Sequence, residues 1–562
     1  MSDFIAAAHP AYDRWRNSRG AYAGSLNEHW EALLKRDPTL SSVALCVELV
    51  FSTDQVVHIS DRPCRVVSTA SGREYNYAPV LHQRPEITQS YDFMNATSKT
   101  RTLTFMLPNL LVDVNKIVQN GRLLAGVGEV SLQIDGGDYD QRFVLLTGDM
   151  TDGVSFGSID ELIQISLTDP KDTINVFAPP FIIDATTFAT APAASIGKRY
   201  ALFIPSYSGV PAPFINQSTS AARALVGYGH VDENALYVVI DGDQYTKSHA
   251  IYGYTWVQDY DARVRPVTYV EFGSVGSSTF AFTEQVYVYP KGQQEITNPI
   301  DQIRFLLESY TAVDSIGLSE PLFSIAKAKA STLQANILLN AGGAATATAL
   351  AFIEQNLLRS FPMISMTFAV GGYGPVVTDR RSEITAFVLH ADQWPVLHRE
   401  SLVTETALSD CFNEFVLMYG YDPVEDVYQN ILTFDASTSA LCEISQSLLG
   451  YRPCEIIESQ FIFDDGTAQF VLNWMVDHLT LPSYCVEYAV DASMVMHLKP
   501  GDNVKITDAE FEWTDLTASV ESITYKSSHC VLLLRVWWRY YTLGTAAASS
   551  KGKGYTEDDQ GQ

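Results

Sequence analysis

The sequence predicts a β-rich α+β chain of several domains, in which two antiparallel β-barrels are combined with inserted β and helical regions. The chain has 562 residues, which is about three or four domains at roughly 150 residues each. Hydrophobic residues make up 46% and charged residues 18%, which gives apolar surface for several cores and too little charge for a disordered chain. Short β-type runs occupy residues 43–168 and 484–537, whereas helical spacing is concentrated between them.

The charge balance limits the classes of partner. Lysine plus arginine number 37 and aspartate plus glutamate 65, which gives 37 − 65 = −28. This charge repels phosphate backbones and anionic lipid, so a tight nucleic-acid binder is not expected. Seven cysteines without a C-x-x-C pair indicate reduced thiols made in a cytoplasm. The amino terminus has no apolar run of signal-peptide length, and polar residues interrupt the uncharged stretch 330–353, so neither export nor a membrane span is expected.

The first 180 residues are expected to form two units. Residues 1–40 favour a helical N-terminal arm. Residues 41–180 favour a first β-barrel or sandwich domain, in which the Asp135-Gly136 turn joins two alternating segments as a hairpin. The other strands of this domain are predicted from runs at 43–50, 65–67, 102–107, 148–154 and 162–167. Prolines from Pro170 onward end it.

The rest of the chain is expected to form three further domains and a tail. Residues 181–295 favour a β-rich insertion domain with a turn at Asp241-Gly242 and many tyrosines. Residues 296–440 favour a mixed helical/β domain, whose first two helices are expected to begin at Pro299 and Glu320 and whose third is expected within 345–359. The second barrel is expected over 441–545, with a helical stripe over 468–479 and strands at 484–490, 503–506, 518–525 and 530–537. Residues 546–562 are expected to be disordered.

Motifs for cofactors and metals are missing from the sequence. The pentapeptide 153–157 (GVSFG) fits G-x-S-x-G but lies between two predicted strands, not at the strand-to-helix elbow of a serine hydrolase. No P-loop occurs, and the glycines of 371–375 indicate a strand-ending turn rather than a phosphate cradle. Eleven histidines include no H-E-x-x-H pair for zinc. Three aspartates, Asp135, Asp138 and Asp140, miss the spacing of a calcium loop, and the hairpin accounts for them. We therefore predict no metal, no cofactor and no catalytic residue.

Two hydrolytic arrangements stay open, because their members need only meet in space. One is a thiol hydrolase whose nucleophile and base come from Cys442 or Cys485 and His478 or His497. The other is an acid pair for sugar cleavage among Asp464, Asp465 and Asp477. Buried structural cysteines and capping aspartates are the commoner occupants of such positions.

Aromatic residues and arginine are concentrated in 532–541, and both residue types anchor protein interfaces. The candidate interface residues are Trp537, Trp538, Arg539, Tyr540 and Tyr541. The alternative is a core strand whose end packs at a barrel mouth.

Three segments, taken in order, resemble phage tail proteins of the baseplate hub family. Residues 142–150 (RFVLLTGDM) with 163–170 (IQISLTDP) are similar to the strand pair of a tube-like domain. Residues 298–311 (NPIDQIRFLLESYT) resemble a helix opening of tail-tip and hub proteins, and 498–508 (LKPGDNVKITD) resemble the late barrel hairpin of the same group. The resemblance spans most of 43–540, and 198–295 matches it least.

The resemblance implies that both barrels are tail-tube-like and that the chain is a structural virion protein. Three chains would form a pseudo-sixfold ring that joins the tail tube to the central spike and lines the channel for DNA, without binding the genome specifically. The implied partners are two further copies, a tail tube or distal tail protein, a spike or tail-tip protein and a tape measure protein. Assembly in the host bacterial cytoplasm is implied, and no catalytic residues are. The alternatives are a tail-associated cell-wall hydrolase and a tail-tip receptor or carbohydrate binder that uses the Tyr-rich 198–295.

Overall fold

The computed structural model describes residues 43–52, 55–81, 84–90, 102–108, 127–150, 154–155, 162–168, 177, 181–205, 207, 209–216, 222–249, 253–273, 285–291, 295–310, 317–339, 348–369, 372–380, 388–393, 396–402, 404–491, 498–526 and 529–537. The predicted arm 1–40 and tail 546–562 lie outside these ranges. Among the helices in the described ranges, none combines the length and the apolar character needed to cross a bilayer.

The first large sheet is built from residues 43–168 and has nine strands. Ten strands are found in this region: β1 (Val43–Ser52), β2 (Gln55–Ser60), β3 (Cys64–Val67), β4 (Glu74–Pro79), β5 (Ile87–Ser90), β6 (Thr102–Pro108), β7 (Val127–Ile134), β8 (Phe143–Asp149), β9 (Val154–Ser155) and β10 (Leu162–Thr168). The order is β3-β4-β2-β1-β7-β8-β10-β6, with β9 beside β10 and β5 in another sheet. The predicted hairpin is confirmed, since β7 pairs with β8 and Gly136 has φ +76°. Of the predicted pair 148–154 with 162–167, the described residues show Asp149 paired with Thr168 and 154–155 paired with 164–165. The other edge of β10 pairs along its whole length with β6.

The insertion region forms a sandwich of two four-stranded sheets. Its strands are β11 (Leu202–Ile204), β12 (Val210–Pro211), β13 (Phe214–Asn216), β14 (Ala222–Tyr228), β15 (Tyr237–Ile240), β16 (Asp243–Thr246), β17 (Tyr254–Tyr260), β18 (Pro266–Phe272) and β19 (Val286–Val288). The sheets run β12-β19-β15-β16 and β13-β14-β18-β17. The predicted Asp241-Gly242 turn joins β15 to β16, and both residues have positive φ, as a two-residue hairpin turn requires.

The helical region packs around a second apolar core. It contains α1 (Pro299–Tyr310), α2 (Glu320–Lys329), β20 (Ile337–Leu339), α3 (Ala349–Phe352), a π-helical turn (Ile353–Leu357), α4 (Leu358–Ser360), β21 (Ile364–Ala369) and β22 (Gly372–Val377). The predicted starts of the first two helices are confirmed; Asn298 Oδ1 accepts the Ile300 N–H ahead of α1 at 3.0 Å. Strand β20 pairs with β11 and so ties this region to the insertion.

The last part of the chain supplies the second large sheet and a smaller one. Its elements are β23 (Val388–His390), β24 (Val396–Arg399), β25 (Thr404–Glu405), β26 (Phe415–Asp422), β27 (Val427–Phe434), α5 (Ala440–Leu449), β28 (Ile457–Glu458), α6 (Asp465–Leu479), β29 (Tyr484–Val490), β30 (Asn503–Asp508), β31 (Trp513–Tyr525) and β32 (Cys530–Val536). The large sheet runs β23-β30-β31-β32-β29-β24, and the small one runs β27-β26-β28. Helices α5 and α6 contribute to the same apolar core as α1 and α2.

The two large sheets share one apolar core. Inward residues of the first sheet, such as Leu45 and Leu132, belong to the same buried cluster as Leu532 and Leu534 of the second. Strand β5, from the first region of the chain, leaves its own sheet and pairs with β31 over Ser522–Tyr525. The β-rich, multidomain prediction is thus confirmed, whereas two separate tube-like barrels remain a prediction.

Candidate functional site

The structure places the thiol candidates in sites that suppress thiolate formation. Burial raises the pKa of Cys442 on α5 and of Cys485 on β29. The side-chain hydrogen bonds of Cys442 are with Ser439 and Thr480. His478 is almost fully buried; its Nδ1 lies 2.8 Å from the Trp474 carbonyl oxygen, and its Nε2 accepts the Arg380 N–H at 3.2 Å. His497 lies outside the described residues. These contacts do not assemble a thiol nucleophile with a base.

The three candidate aspartates lie along α6 and serve the helix. Asp464 Oδ1 accepts the Thr467 N–H at 2.8 Å as an N-terminal cap, and Asp465 accepts the Tyr419 hydroxyl at 2.6 Å. Asp477, twelve residues after Asp465 on the same helix, lies about 18 Å further along the axis at about 1.5 Å per residue. Paired glycosidase carboxylates lie about 5–9.5 Å apart. Asp477 instead pairs with Arg380 at 3.2 Å.

The aspartates of the first hairpin hold a neighbouring turn. Asp138 accepts the Thr69 N–H at 3.1 Å and the Thr69 hydroxyl at 2.7 Å, and Asp140 accepts the Ala70 N–H at 2.9 Å. Asp135 accepts the Arg65 N–H at 2.8 Å. Across the ranges that the structure describes, no group of three histidine, cysteine or acidic side chains is arranged to hold a metal. The carboxylates therefore latch the 65–70 turn to the hairpin.

The prediction of a strand-ending turn at 371–375 is wrong for its described part. Residues 372–377 form β22, which pairs with β21. Glycines are required because α2 and the chain before it approach closely: a Cβ on Gly372 would lie 2.8 Å from the Ser319 nitrogen, and one on Gly374 would lie 2.9 Å from Leu322 Cβ. The glycines serve packing.

The candidate interface is described only at Trp537, which directly follows β32. The residue is 4% exposed. Its ring lies edge-on to the His478 ring, with 4.9 Å between the ring centroids, and its Nε1 donates to Ser519 Oγ at 3.1 Å. Residues 538–541 lie outside the described ranges. Trp537 thus packs inside its own chain, and the interface role of the segment remains a prediction.

A buried polar network on the outer face of the first sheet was not predicted. Glu48 on β1 accepts the hydroxyls of Tyr77 at 2.5 Å and Tyr139 at 3.1 Å. Its cross-strand partner Glu129 accepts Arg142 Nε at 2.6 Å. Burial alone lowers the pKa of Arg142, but electrostatic attraction to Glu129, Tyr139 and Glu48 and the hydrogen bond with Glu129 together outweigh it, so the net shift is upward. The Tyr77–Glu48 hydrogen bond holds the β3–β4 hairpin against β1 of the sheet. The sequence signal that could have predicted this network is a glutamate among the apolar residues of β1.

A second unpredicted feature joins the helical region to the second large sheet. Lys329, at the end of α2, donates to the Val377 carbonyl at 3.2 Å and the Gly501 carbonyl at 3.1 Å. Burial lowers the pKa of this lysine, while the nearby Asp502 raises it. Gly501 has φ +89°, and a Cβ there would lie 2.1 Å from Val376 Cγ1. The junction is therefore tightly packed and partly polar.

Comparison with known proteins gives structural matches. No protein-family model and no curated protein matches the chain. The tail protein from Neisseria meningitidis MC58 is similar at 10% identity over 88% of this chain and 96% of that one, with a TM-score of 0.38. The prophage tail protein gp18 from Listeria monocytogenes EGD-e is similar at 10% identity over 63% and 93%, with a TM-score of 0.27. The phage P2 baseplate in its activated conformation with Ca matches at 11% identity over 60% and 87%, with a TM-score of 0.17. These are tail or baseplate proteins, which is the class that the three sequence segments resemble.

Proposed function

We propose that this chain is a structural hub protein of a phage tail baseplate. Three copies form a pseudo-sixfold ring that joins the tail tube to the central spike and lines the channel for DNA. The ring contacts a tail tube or distal tail protein above, a spike or tail-tip protein below, and the tape measure protein. The chain is assembled in the bacterial cytoplasm and acts in the virion.

One observation carries this proposal: a single chain contains two large, mainly antiparallel sheets that pack on one core and are joined by β5. Three such chains provide six large sheets, which is the number that a sixfold tube requires. Two of the resembling segments fall in these sheets, since 142–150 and 163–170 cover β8 and most of β10, and 498–508 ends with β30. The domain boundaries of the sequence analysis stay part of the proposal, with 181–295 as an insertion.

The charge of the chain supports a conduit role. Three copies carry 3 × (−28) = −84. A channel within such a ring repels DNA, and weak adhesion allows the genome to pass. The burial of Cys442 and the structural contacts of the aspartates on α6 favour this role over the hydrolase.

The proposed interface segment begins at Trp537, whose ring packs against His478 inside the chain. We place Trp538, Arg539, Tyr540 and Tyr541 in the contact between neighbouring subunits, because aromatic residues and arginine dominate such contacts.

The test is the mass and symmetry of the purified full-length chain. Native mass measurement is expected to give three times the 62.1 kDa of one chain, and negative-stain images are expected to show rings with threefold or pseudo-sixfold symmetry. A compact monomer at micromolar concentration contradicts the proposal. Clearing of peptidoglycan that disappears with Cys442→Ala or Asp465→Asn would instead establish the hydrolase.

A further inference from the structure

Strand β27 leaves one backbone edge without a partner among the described residues. It is the outer strand of the β27-β26-β28 sheet, and among the described strands it pairs with β26 only. The pairing extends from Phe415 opposite Phe434 to Asp422 opposite Val427. In an antiparallel pair, alternate residues direct their N–H and C=O groups away from the partner strand. The structure describes residues 404–491 without a gap, and no other strand in the described ranges pairs with β27. About half of its backbone hydrogen-bonding groups therefore face outward.

The residues of this strand have none of the sequence features that keep sheet edges from pairing. Its sequence, VYQNILTF, contains no charged residue and no proline. Natural proteins usually protect an exposed edge with lysine, proline, a bulge or a very short strand. An eight-residue edge without these protections is suited to accept another strand.

The outward face of β27 carries two exposed apolar side chains, together with Gln429 and Thr433. Ile431 is 64% exposed and lies opposite the half-buried Met418 of β26. Val427, at the start of the strand, is also exposed. A strand added at this edge would cover Ile431 with its own outward side chains, because cross-strand neighbours on one face lie about 5 Å apart.

The surroundings of β27 are strongly acidic. Residues 404–491 contain 15 aspartates and glutamates and a single basic residue, Arg452, which gives 1 − 15 = −14. Half of the net charge of −28 therefore falls in 88 residues. Carboxylates stand at both ends of the strand: Glu425 and Asp426 are exposed just before it, and Asp435 follows it directly.

We propose that the free edge of β27 binds an extended segment of another protein, about eight residues long and flanked by lysine or arginine. The segment pairs with the β27 backbone and packs apolar side chains on Ile431. Its flanking basic residues lie near Glu425 and Asp426 at one end and near Asp435 at the other. The charge of the edge favours this partner over a second copy of the same acidic region. Such binding is possible whether or not three chains form a ring.

The probe is a synthetic peptide of two lysines, four Thr-Val repeats and two lysines. Against the full-length chain at low salt, it is expected to bind at least tenfold more tightly than the same peptide with glutamates at both ends. Added salt is expected to narrow this difference. Hydrogen exchange of the amides of 427–434 is expected to slow on binding. Equal binding of the two peptides, or no protection at 427–434, would overturn the proposal.

Two N-methylated peptides test pairing through the backbone. One is methylated at the four valines and the other at the four threonines, since these two sets of amides face opposite edges of an extended strand. One of them is expected to lose binding at least tenfold and the other to keep it. Retention by both would exclude strand addition.

A matched pair of variants tests the location. Ile431→Lys is expected to weaken peptide binding at least tenfold, whereas Leu448→Lys, at a similarly exposed leucine on α5, is expected to change it less than twofold. The double variant Glu425→Gln and Asp426→Asn is expected to reduce the preference for lysine flanks. Equal losses for Ile431→Lys and Leu448→Lys, or self-association that protects 427–434 without peptide, would contradict the assignment.

Discussion

Strands β1 and β27 show how differently two uninterrupted strands of this chain are used. Strand β1 is paired on both edges, by β2 and β7, and its described side chains are nearly all buried on both faces. Its glutamate, Glu48, is satisfied by two tyrosine hydroxyls. Strand β27 is paired on one edge and exposes Ile431 and Val427. The first strand contributes to stability, and the second offers surface to a partner.

The same contrast appears in the electrostatics. Around β1, acidic groups are buried and matched, as in the pair of Glu129 and Arg142. Around β27, Glu425, Asp426 and Glu458 are exposed in a segment with one basic residue. Substitutions near β1 should therefore change the free energy of unfolding, and those near β27 should change binding.

The largest expected effect is at the buried ion pair beside β1. Arg142→Met leaves Glu129 without its guanidinium partner, and this should lower the free energy of unfolding by about 3–5 kcal/mol. The control Arg65→Met removes an exposed pair with Glu74 and should have a much smaller effect on the free energy of unfolding. Urea unfolding of both variants measures the difference. A comparable loss in the control would show that the burial of Glu129 does not govern the cost.

A smaller loss is expected at the junction of the helical region and the second sheet. Gly501→Ala places a methyl group against Val376 at a positive φ, so it should destabilise the chain by about 1–3 kcal/mol. The double variant with Val376→Ala should recover part of this loss, because it removes the nearest contact. Thermal unfolding of the single and double variants tests this; no recovery would assign the cost to backbone strain alone.

A pH-dependent effect is expected in the insertion sandwich. Burial raises the pKa of Asp261, but the N–H groups of Arg265 and Arg263, the Tyr200 hydroxyl and the Arg265 charge outweigh it, so the net shift is downward from 3.8. A depressed pKa contributes stability above the ordinary value and loses it as the pH falls through the folded value. Asp261→Asn should therefore flatten the fall in stability below about pH 4. Unfolding midpoints from pH 3 to 7 check this, and an unchanged acid limb would contradict it.

The smallest expected effect is at the exposed edge. Ile431→Ala should change the free energy of unfolding by no more than about 0.5 kcal/mol, because most of the side chain is already in water. Chemical denaturation measures this. A loss of 2 kcal/mol would mean that β27 is covered within its own chain, and the contrast with β1 would fail.

Local signals predicted the elements that depend on local chemistry. The alternating runs and Asp-Gly turns gave β7, β8, β15 and β16, and the Asn-Pro and Ser-Glu-Pro starts gave α1 and α2. The strand 372–377 was missed because its glycines reflect the approach of α2, which lies elsewhere in the sequence.

Long-range features were not predictable in this way. The pairing of β5 with β31 joins residues more than 400 positions apart, and Ile87 of β5 belongs to the common core of the two sheets. Of the candidate site residues, Asp464 has the capping role that its position suggested. The ion pair of Asp477 with Arg380 could not be predicted from the sequence, because it joins residues that only the tertiary structure brings together. The excess of acidic residues in 404–491 can be counted from the sequence. Its proposed role in binding a basic partner depends on the outer edge of β27, which only the structure shows.

Native-state hydrogen exchange of the wild-type chain, measured at increasing urea, tests the shared core most directly. Strand β1 of the first sheet and strand β32 of the second should open with the same free energy and the same urea dependence, because both belong to one cooperative unit. Two distinct opening free energies, each confined to one sheet, would show that the sheets open independently and would contradict the shared cooperative core.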